Sequence, residues 1–468
     1  MPPRDHGAVL GPRALAAFLV AKTTRAALRL TRRGGTTLPG LVAVRIDPNV
    51  PGAIAAKLPK GVVLVTGTNG KTTTSRMLAD IVRLAGWRPV HNRAGSNLAR
   101  GIASALVADA SWSGSPRADG AIFEVDEASI VAVSRLVRPS VLLITNLFRD
   151  QLDRYGELDT VARRMRDAAS ALGSAAVLVL NADDPIVNLV GDTFSGRVIR
   201  FGIDDDAVVG ALAQNVSDLT HCPRCRARLH YDRVVLGHVG DYRCPNCGFA
   251  RPHPDIAATS VAVEAEGTRL TLGAGEGAIV RVPLPGLYNA YNALAAIAAA
   301  HALGIAVDVA ARAIDSFQPA FGRLEIVAAE GRRLRLVLVK NPAGFNAAIT
   351  PLLTRDGSVR LLTALNDLDA DGRDVSWVWD ADFEALAPRI EWAVVTGLRA
   401  RDLALRLKYA GVPPERMVVI DGWDAAVRET LRRTDVGDEV TVLATYTATL
   451  ALRHALATMG FAKEFWED

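Results

Sequence analysis

Apolar runs alternate with stretches of helical periodicity along most of the chain. In the first half, the apolar runs predict strands at 61–67, 119–125, 139–146, 175–181 and 197–202. Strands that alternate with helices are typical of a mainly parallel α/β sheet. Strand-like segments follow at 258–263 and 268–284, before a strongly helical stretch at 289–302. A second alternating series predicts a separate doubly wound domain, with strands at 335–340, 359–365, 391–397, 416–420 and 439–445.

These patterns divide the 468 residues into three parts. We expect an N-terminal helical segment over 1–55, a central α/β domain over 56–325 and a C-terminal Rossmann-like α/β domain over 326–468, with the junction near 323–333. A cysteine-containing insert over about 216–252 interrupts the central domain. A chain of this length exceeds one hydrophobic core, which agrees with several domains.

The N-terminal segment contains a basic amphipathic helix. Apolar residues recur over 14–30 between Lys22, Arg25 and Arg29, and the apolar run is too short to span a bilayer. We favour a helix packed on the body of the protein, and the alternative is peripheral contact with the inner face of the membrane. No secretion signal is evident, so we expect a cytoplasmic protein.

The first predicted strand runs into a glycine-containing loop, Gly67-Thr68-Asn69-Gly70-Lys71-Thr72-Thr73. The glycines free backbone N–H groups at a helix start, where the positive end of the helix dipole binds phosphate oxygens. Lys71 adds a positive charge on the β/γ side, and the Thr72 hydroxyl can reach Mg²⁺. The usual P-loop has four residues between its two glycines, whereas only Thr68 and Asn69 lie between Gly67 and Gly70, so the loop is a shortened variant. The sequence therefore predicts a nucleoside triphosphate site.

The insert contains all four cysteines of the chain, as two pairs with zinc ribbon spacing: Cys222, Cys225, Cys244 and Cys247. Two such knuckles can bring four thiolates into a tetrahedron, and thiols stay reduced in a cytoplasm. Four thiolates leave no open position on the ion, so we expect a structural Zn²⁺ site. A disulfide-bonded insert is the alternative, and it lacks a secretory context.

Composition argues against nucleic acid as a partner. The formal net charge is +4, and the arginines are spread along the chain without a cluster. A zinc ribbon ATPase that acts on nucleic acid is the alternative from another functional class. Lysine is scarce, with seven residues, which makes Lys71 and Lys340 informative.

Acidic residues follow the predicted strand at 119–125. In open α/β sheets, ligands bind beyond the carboxyl ends of the strands, so Glu124 and its neighbours can hold Mg²⁺ beside the glycine loop. A solvated loop is the alternative. Polar residues also follow the next two strands: Asn146, Arg149, Asp150, Gln151 and Asp153, then Asn181, Asp183 and Asp184.

The glycine loop resembles the ATP loop of the Mur ligases and folylpolyglutamate synthases. Later motifs agree in order, over about 60–325: Glu124, Thr145-Asn146, Asp153-Arg154-Tyr155-Gly156, Asn181-Ala182-Asp183-Asp184, Gly286-Leu287-Tyr288-Asn289-Ala290-Tyr291-Asn292-Ala293 and Arg323. The resemblance implies that Lys71 and Thr72 serve the phosphates and Mg²⁺, and that Glu124 binds Mg²⁺. It also implies that Asn292 faces the adenine and that Arg323 reaches the nucleotide from the domain junction. Such enzymes form an acyl phosphate from a carboxylate and ATP, and a nitrogen nucleophile displaces the phosphate.

Two departures from the typical Mur ligase narrow the identity. Gln151 stands where those enzymes have a metal-binding histidine, and no lysine lies between Lys71 and Lys340, where many carry a carbamylated lysine. A second Mg²⁺ site must therefore be built differently or be weaker. Both departures count against an amino acid-adding ligase of the Mur or folylpolyglutamate type, the alternative within the same chemistry.

Three features together resemble the MurT family, the ligase subunits of lipid II isoglutaminyl synthase: the zinc ribbon, Lys340-Asn341-Pro342-Ala343-Gly344-Phe345-Asn346, and Asn366-Asp367-Leu368-Asp369-Ala370-Asp371-Gly372-Arg373-Asp374-Val375-Ser376-Trp377. This resemblance implies ATP-dependent amidation of the α-carboxyl of D-glutamate in the lipid II stem peptide to D-isoglutamine. A GatD-type glutaminase subunit then supplies the ammonia, in a heterodimer.

The same resemblance implies roles for residues of the C-terminal domain. Lys340 would contact the phosphate or the activated carboxylate, with Asn341 and Asn346 nearby. Asp374 would complete a Cys-His-Asp triad by orienting the partner's histidine. Asp371 is the second choice, and a surface loop or a helix N-cap is the structural alternative for Asp374. Release of ammonia from glutamine normally needs a thiol nucleophile, and a zinc ribbon leaves this chain none, which also points to a partner.

Overall fold

The computed structural model describes residues 11–30, 37–92, 97–148, 158–208, 219–264, 266–273, 277–318, 323–354 and 357–462. The first half contributes eleven strands: β1 Val62–Thr66, β2 Pro89–His91, β3 Gly120–Glu124, β4 Val141–Ile144, β5 Val177–Asn181, β6 Arg197–Ile203, β7 His230–Leu236, β8 Val239–Arg243, β9 Ile256–Val263, β10 Thr268–Leu272 and β11 Ile279–Val282. Nine of them form one sheet in the order β11-β10-β9-β6-β5-β4-β1-β3-β2, and β7 and β8 form a separate hairpin. The strands from β2 to β9 in this order are parallel, and β10 and β11 are antiparallel.

Helices cover both faces of this sheet. They are α1 Pro12–Leu30, α2 Leu38–Ile46, α3 Val50–Ala55, α4 Lys71–Leu84, α5 Ala99–Asp109, α6 Ile130–Val137, α7 Leu158–Ser170, α8 Pro185–Val190, α9 Leu287–Ala302 and α10 Val307–Asp315. Two hydrophobic clusters fill the space between helices and sheet, one on each face. β1 and β3 are buried along their whole length. Strands buried on both faces need near-continuous apolar sequences, which these two strands have.

The C-terminal sheet has six strands in the order β12-β13-β17-β14-β15-β16. These are β12 Arg323–Ala329, β13 Arg332–Leu338, β14 Val359–Ala364, β15 Ile390–Thr396, β16 Met417–Val419 and β17 Glu439–Ala444. Only the β12–β13 pair is antiparallel. The helices of this part are α11 Pro342–Thr354, α12 Phe383–Leu386, α13 Ala400–Tyr409, α14 Trp423–Arg433 and α15 Tyr446–Thr458. The α/β class of both parts is therefore confirmed. The short strand β2 and the strand β12 were not predicted.

Helix α1 packs on the central part of the chain. Ala17 and Phe18 are fully buried, and Lys22 Nζ donates a hydrogen bond of 2.9 Å to Val107 O. The opposite face leaves Leu19 and Val20 exposed. Within the described ranges, the structure contains no helix that is long and apolar enough to cross a bilayer.

The buried carboxylate of Asp183 connects β6, α9 and the end of the cysteine-containing insert. Asp183, in the turn after β5, accepts hydrogen bonds from Arg251 Nε at 2.7 Å, Ile203 N at 2.9 Å and the Tyr291 hydroxyl at 2.7 Å. Burial raises the pKa of Asp183, and the charge of Arg251 opposes this rise. Because a buried charge needs a full set of partners, each donor should contribute measurably to stability.

Replacement of Tyr291 by phenylalanine tests this requirement. Tyr291→Phe removes one donor to Asp183 without changing the ring, so the free energy of unfolding should fall by about 1–3 kcal/mol. Urea denaturation of the full chain measures it. Tyr409→Phe is the control, because this side chain is 71% exposed and its loss should change stability by less than about 0.5 kcal/mol. Equal effects of the two variants would contradict the importance of the Asp183 network.

Candidate active site

The glycine loop between β1 and α4 rests on the segment that follows β4. Thr68 N donates to Asn146 O at 2.8 Å, Asn69 N donates to Asn146 Oδ1 at 2.9 Å, and Asn146 Nδ2 donates back to Asn69 O at 3.0 Å. The first hydrogen bond of α4 runs from Thr74 N to Gly70 O. The loop is thus fixed from behind, and the N-terminal turn of α4 provides the positive end of the helix dipole for an anion.

Glycine is required at two positions of this loop. Gly67 has φ +128°, and a Cβ there would lie 2.3 Å from Thr145 Oγ1. Gly70 has φ +84°, and a Cβ there would lie 1.9 Å from Asn292 Oδ1. Asn292 is itself held by Asn289 Oδ1, which accepts from its Nδ2 at 3.1 Å. Helix α9 therefore packs directly against the loop. The contact of Asn292 with adenine stays a prediction.

Lys71 and Thr72 begin α4 and are both buried. Lys71 Nζ forms an ion pair of 2.9 Å with Glu127 Oε2 and donates to the carbonyl oxygens of Gly67 and Thr68. The sequence motif identified Lys71, but it gave no sign that Glu127 is its partner.

Glu124 lies at the end of β3, in register with Val65 of the neighbouring β1. Its backbone is clamped by Asn92, whose Oδ1 accepts from Glu124 N at 2.9 Å and whose Nδ2 donates to Glu124 O at 2.8 Å. Sequence reasoning missed Asn92, because the short strand β2 that precedes it was not predicted. Carboxylate and hydroxyl oxygens are hard ligands, so Glu124 and Thr72 fit a Mg²⁺ ion by donor type.

The C-terminal part of the chain reaches the glycine loop. Asn341 Nδ2 donates to Asn69 Oδ1 at 3.2 Å, and Asn341 Oδ1 accepts from Gly344 N at 2.7 Å. Lys340 directly precedes this contact and is partly buried. The Oδ1 atom of Asn346, in the helix that follows, accepts from Asp382 N at 2.9 Å.

A second approach is made by Tyr446, the first residue of α15. Burial raises the pKa of its hydroxyl, and the charges of Asp371 and Glu124 raise it further. The direct contact at the glycine loop is the hydrogen bond from Asn341 to Asn69.

The two candidate aspartates of the 366–377 loop have different surroundings. Asp371 is 3% exposed, accepts a hydrogen bond from Thr447 N at 2.7 Å, and its pKa is raised by burial. Asp374 is partly exposed and accepts from Ser376 N at 2.8 Å. The hydroxyl and backbone N–H of Ser376 hold the pKa of Asp374 below its usual value. Asp374 is thus a charged, accessible group, whereas Asp371 anchors the start of α15.

The four cysteines converge. Their Sγ atoms all lie within 4.8 Å of one another, with Cys222 to Cys247 at 3.6 Å and Cys225 to Cys244 at 3.5 Å. Zn–S bonds of about 2.3 Å in a tetrahedron put sulfurs about 3.8 Å apart, so the thiols fit Zn²⁺.

The backbone repeats the same turn at each cysteine pair. At the first pair, Cys222 N donates to Ala227 O and Arg226 N donates to Cys222 O. At the second pair, Cys244 N donates to Phe249 O and Gly248 N donates to Cys244 O. The hairpin β7–β8 is joined to the central sheet through Tyr242, whose hydroxyl donates to Ala182 O at 3.3 Å.

Some predicted site residues lie outside the described residues. These are Arg149, Asp150, Gln151, Asp153, Arg154, Tyr155 and Gly156. Arg323 begins β12, but the structure does not describe its side chain.

The contact of Gly70 with Asn292 gives a sharp test of the loop. Gly70→Ala should abolish nucleotide binding, because the new Cβ meets Asn292 and the backbone has φ +84°. Gly86→Ala is a matched control at the other end of the helix, with φ +85° and no atom within 4 Å of the Cβ. It should cost about 1–2 kcal/mol of stability and preserve binding. Calorimetric titration with ADP measures both variants, and normal binding by Gly70→Ala would contradict the close packing.

Comparison with known proteins agrees with this arrangement. Residues 65–230 match the Mur ligase middle domain, and residues 338–449 match the MurT ligase C-terminal family. The chain is 34% identical to a MurT subunit of lipid II isoglutaminyl synthase (glutamine-hydrolyzing) from Staphylococcus aureus, over 88% of this chain and 91% of that protein. It is 35% identical to the corresponding subunit from Streptococcus pneumoniae, over 92% and 94%.

Solved structures show the same fold at low sequence identity. A crystal structure of MurF from Acinetobacter baumannii matches with a TM-score of 0.66 and 19% identity, over 90% of this chain and 80% of that one. The sequence identity to the MurT subunits, 34–35%, is well above the 19% of this general likeness. The chain therefore belongs to the MurT family of Mur ligase-like proteins.

Proposed function

We propose that this chain is the ligase half of an enzyme that amidates lipid II. ATP phosphorylates the α-carboxylate of D-glutamate in the stem peptide, which gives an acyl phosphate and ADP. Ammonia then attacks the acyl carbon and displaces phosphate, which leaves D-isoglutamine. The hydrogen bond from Asn341 to Asn69 carries the proposal, because it joins the part of the chain that matches the MurT C-terminal family to the glycine loop.

Each residue of the loop region has a task in this reaction. The N-terminal turn of α4 and Lys71 would bind the phosphates, and Thr72 with Glu124 would hold Mg²⁺. Mg²⁺ supplies positive charge that offsets the charge developing on the transferred phosphoryl group. We assign Lys340 to the phosphate or activated carboxylate, since it directly precedes Asn341. Arg323 and Asn292 are proposed to contact the nucleotide.

The nitrogen is proposed to come from a GatD-type glutaminase subunit. All four cysteines of the chain lie in one cluster that fits Zn²⁺, so none is placed as a nucleophile for glutamine. We place the partner beside Asp374. The turn after it ends in Trp379, which is 51% exposed and meets the Tyr409 ring edge to face, with ring centroids 5.8 Å apart. Exposed aromatic pairs of this kind are typical centres of protein interfaces.

Separate nitrogen sources test the two halves of this proposal. With a D-glutamate-containing lipid II, ATP hydrolysis and amide formation should proceed with ammonia alone or with glutamine plus the partner. Lys71→Ala should abolish both reactions, because one nucleotide site serves both. Turnover with an amino acid but not with ammonia would instead indicate an amino acid-adding ligase, and nucleic acid-stimulated hydrolysis would indicate the third class.

Asp374→Asn should separate the two reactions. Glutamine-dependent amidation should fall by on the order of 10⁴-fold, as expected when a triad carboxylate loses its charge. The ammonia-dependent reaction should retain most of its rate. Asp380→Asn is the control, since Asp380 is an exposed carboxylate a short distance along the same segment. Equal loss of both reactions in Asp374→Asn would refute the triad role.

Zinc is proposed to stabilise the ribbon without a part in the chemistry. Metal analysis should find one Zn²⁺ per chain. Cys244→Ser should release this ion and lower the melting temperature. At temperatures where the variant is still folded, it should remain active. His230→Ala is the control, because His230 is paired with Asp232 at 3.0 Å and should leave zinc bound. A Cys244→Ser protein that melts normally but is inactive would contradict a structural role.

A further inference from the structure

The ammonium group of Lys71 has three acceptors in this structure. Nζ donates to Gly67 O, to Thr68 O at 3.2 Å and to Glu127 Oε2 at 2.9 Å. A lysine ammonium has three N–H donors, so these contacts account for all of them. The side chains of Lys71 and Glu127 are only 9% and 4% exposed, so solvent screens the pair weakly.

Glu127 is held in place by its own turn. Asp126 Oδ1 accepts from Ala128 N at 3.0 Å, and Asp126 O accepts from Ser129 N at 2.9 Å. This turn follows Glu124 directly, so Glu127 belongs to the same acidic segment beside the glycine loop. The backbone at Glu127 is therefore fixed beside the glycine loop, which limits how far its carboxylate can move with Lys71.

Phosphate and Glu127 make opposite demands on Lys71. A phosphate at the start of α4 attracts the ammonium, but a departing ammonium leaves Glu127 as a buried carboxylate without its cation, which is strongly unfavourable. A divalent cation beside Glu124 would replace the missing positive charge.

We propose that Glu127 is a positioning residue that competes with nucleotide phosphates for Lys71 and thereby makes nucleotide binding depend on Mg²⁺. In the absence of Mg²⁺, the ion pair opposes binding. With Mg²⁺, the cation compensates Glu127 and Lys71 is available to the phosphates. The inference rests on the proposed nucleotide site at Gly67–Thr73.

Glu127→Gln tests the competition directly. ADP is titrated calorimetrically into the full chain, once with EDTA and once with saturating Mg²⁺. Without Mg²⁺, the variant should bind ADP on the order of tenfold more tightly than the wild type, the size of effect expected from one charge interaction of this kind. With Mg²⁺ the two proteins should differ much less. The ratio of the Kd without Mg²⁺ to the Kd with Mg²⁺ should therefore be about tenfold smaller in the variant than in the wild type.

Asp126→Asn is the matched control. It removes the charge of a carboxylate that is 6% exposed but keeps the Oδ1 acceptor for Ala128 N, so the turn that holds Glu127 is preserved. The ratio of Kd values should stay within about threefold of the wild type. An unchanged ratio in Glu127→Gln, or an equal change in Asp126→Asn, would overturn the role of Glu127. A wild type that binds no ADP in either condition would instead refute the nucleotide site itself.

A melting experiment tests the same pair without nucleotide. Lys71→Met leaves Glu127 buried without its cation, so its Tm should lie below that of the double variant Lys71→Met/Glu127→Gln. A single variant that melts at the same or a higher temperature would overturn the proposal. This comparison does not depend on how Glu127→Gln alone folds.

Discussion

Two fully buried aspartates in the turn after β5 hold together the elements that form the site. Asp184 accepts from Leu147 N at 2.8 Å and from the first backbone N–H groups of α8, so it fixes the segment on which the glycine loop rests. Asp183 binds Arg251 and the Tyr291 hydroxyl, and so joins the end of the ribbon insert to α9. Buried charges are tolerated only when every partner is in place. The loop, the ribbon and α9 are therefore mutually dependent.

Burial also explains which parts of the site were predictable from sequence. Parallel strands covered on both faces have near-continuous apolar sequences, and ligands lie at their carboxyl ends, so β1, the glycine loop and Glu124 could be found. Cysteine spacing predicted the cluster because its geometry is local. The Lys71–Glu127 pair, the Asn92 clamp and the Asn341–Asn69 contact depend on which side chains meet across the fold, and no spacing encodes that. The edge strands β2 and β12 were missed, and β2 is only half-buried.

Asp371 and Asp374 are close in sequence but have different surroundings in the structure. They lie in one loop, and sequence alone could rank them only by resemblance. The structure separates them by environment, because Asp371 is buried against Thr447 and Asp374 is partly exposed with a lowered pKa. A residue that must orient a group on another protein has to be accessible and charged. Asp374 meets this requirement and Asp371 does not, but the triad role itself comes from the family resemblance. The hydrogen bond from Ser376 N fits the N-cap alternative as well.

The 366–377 loop contains residues that relate to both proposed reactions. Through Thr447, Asp371 positions the start of α15, where Tyr446 feels the charges of both Asp371 and Glu124. Asp374, in the same loop, lies on the side proposed to face the glutaminase. Asn341, on the neighbouring strand end, is fixed to the glycine loop. The carboxyl edge of the C-terminal sheet therefore contributes both the contact with the glycine loop and the loop that is proposed to face the glutaminase.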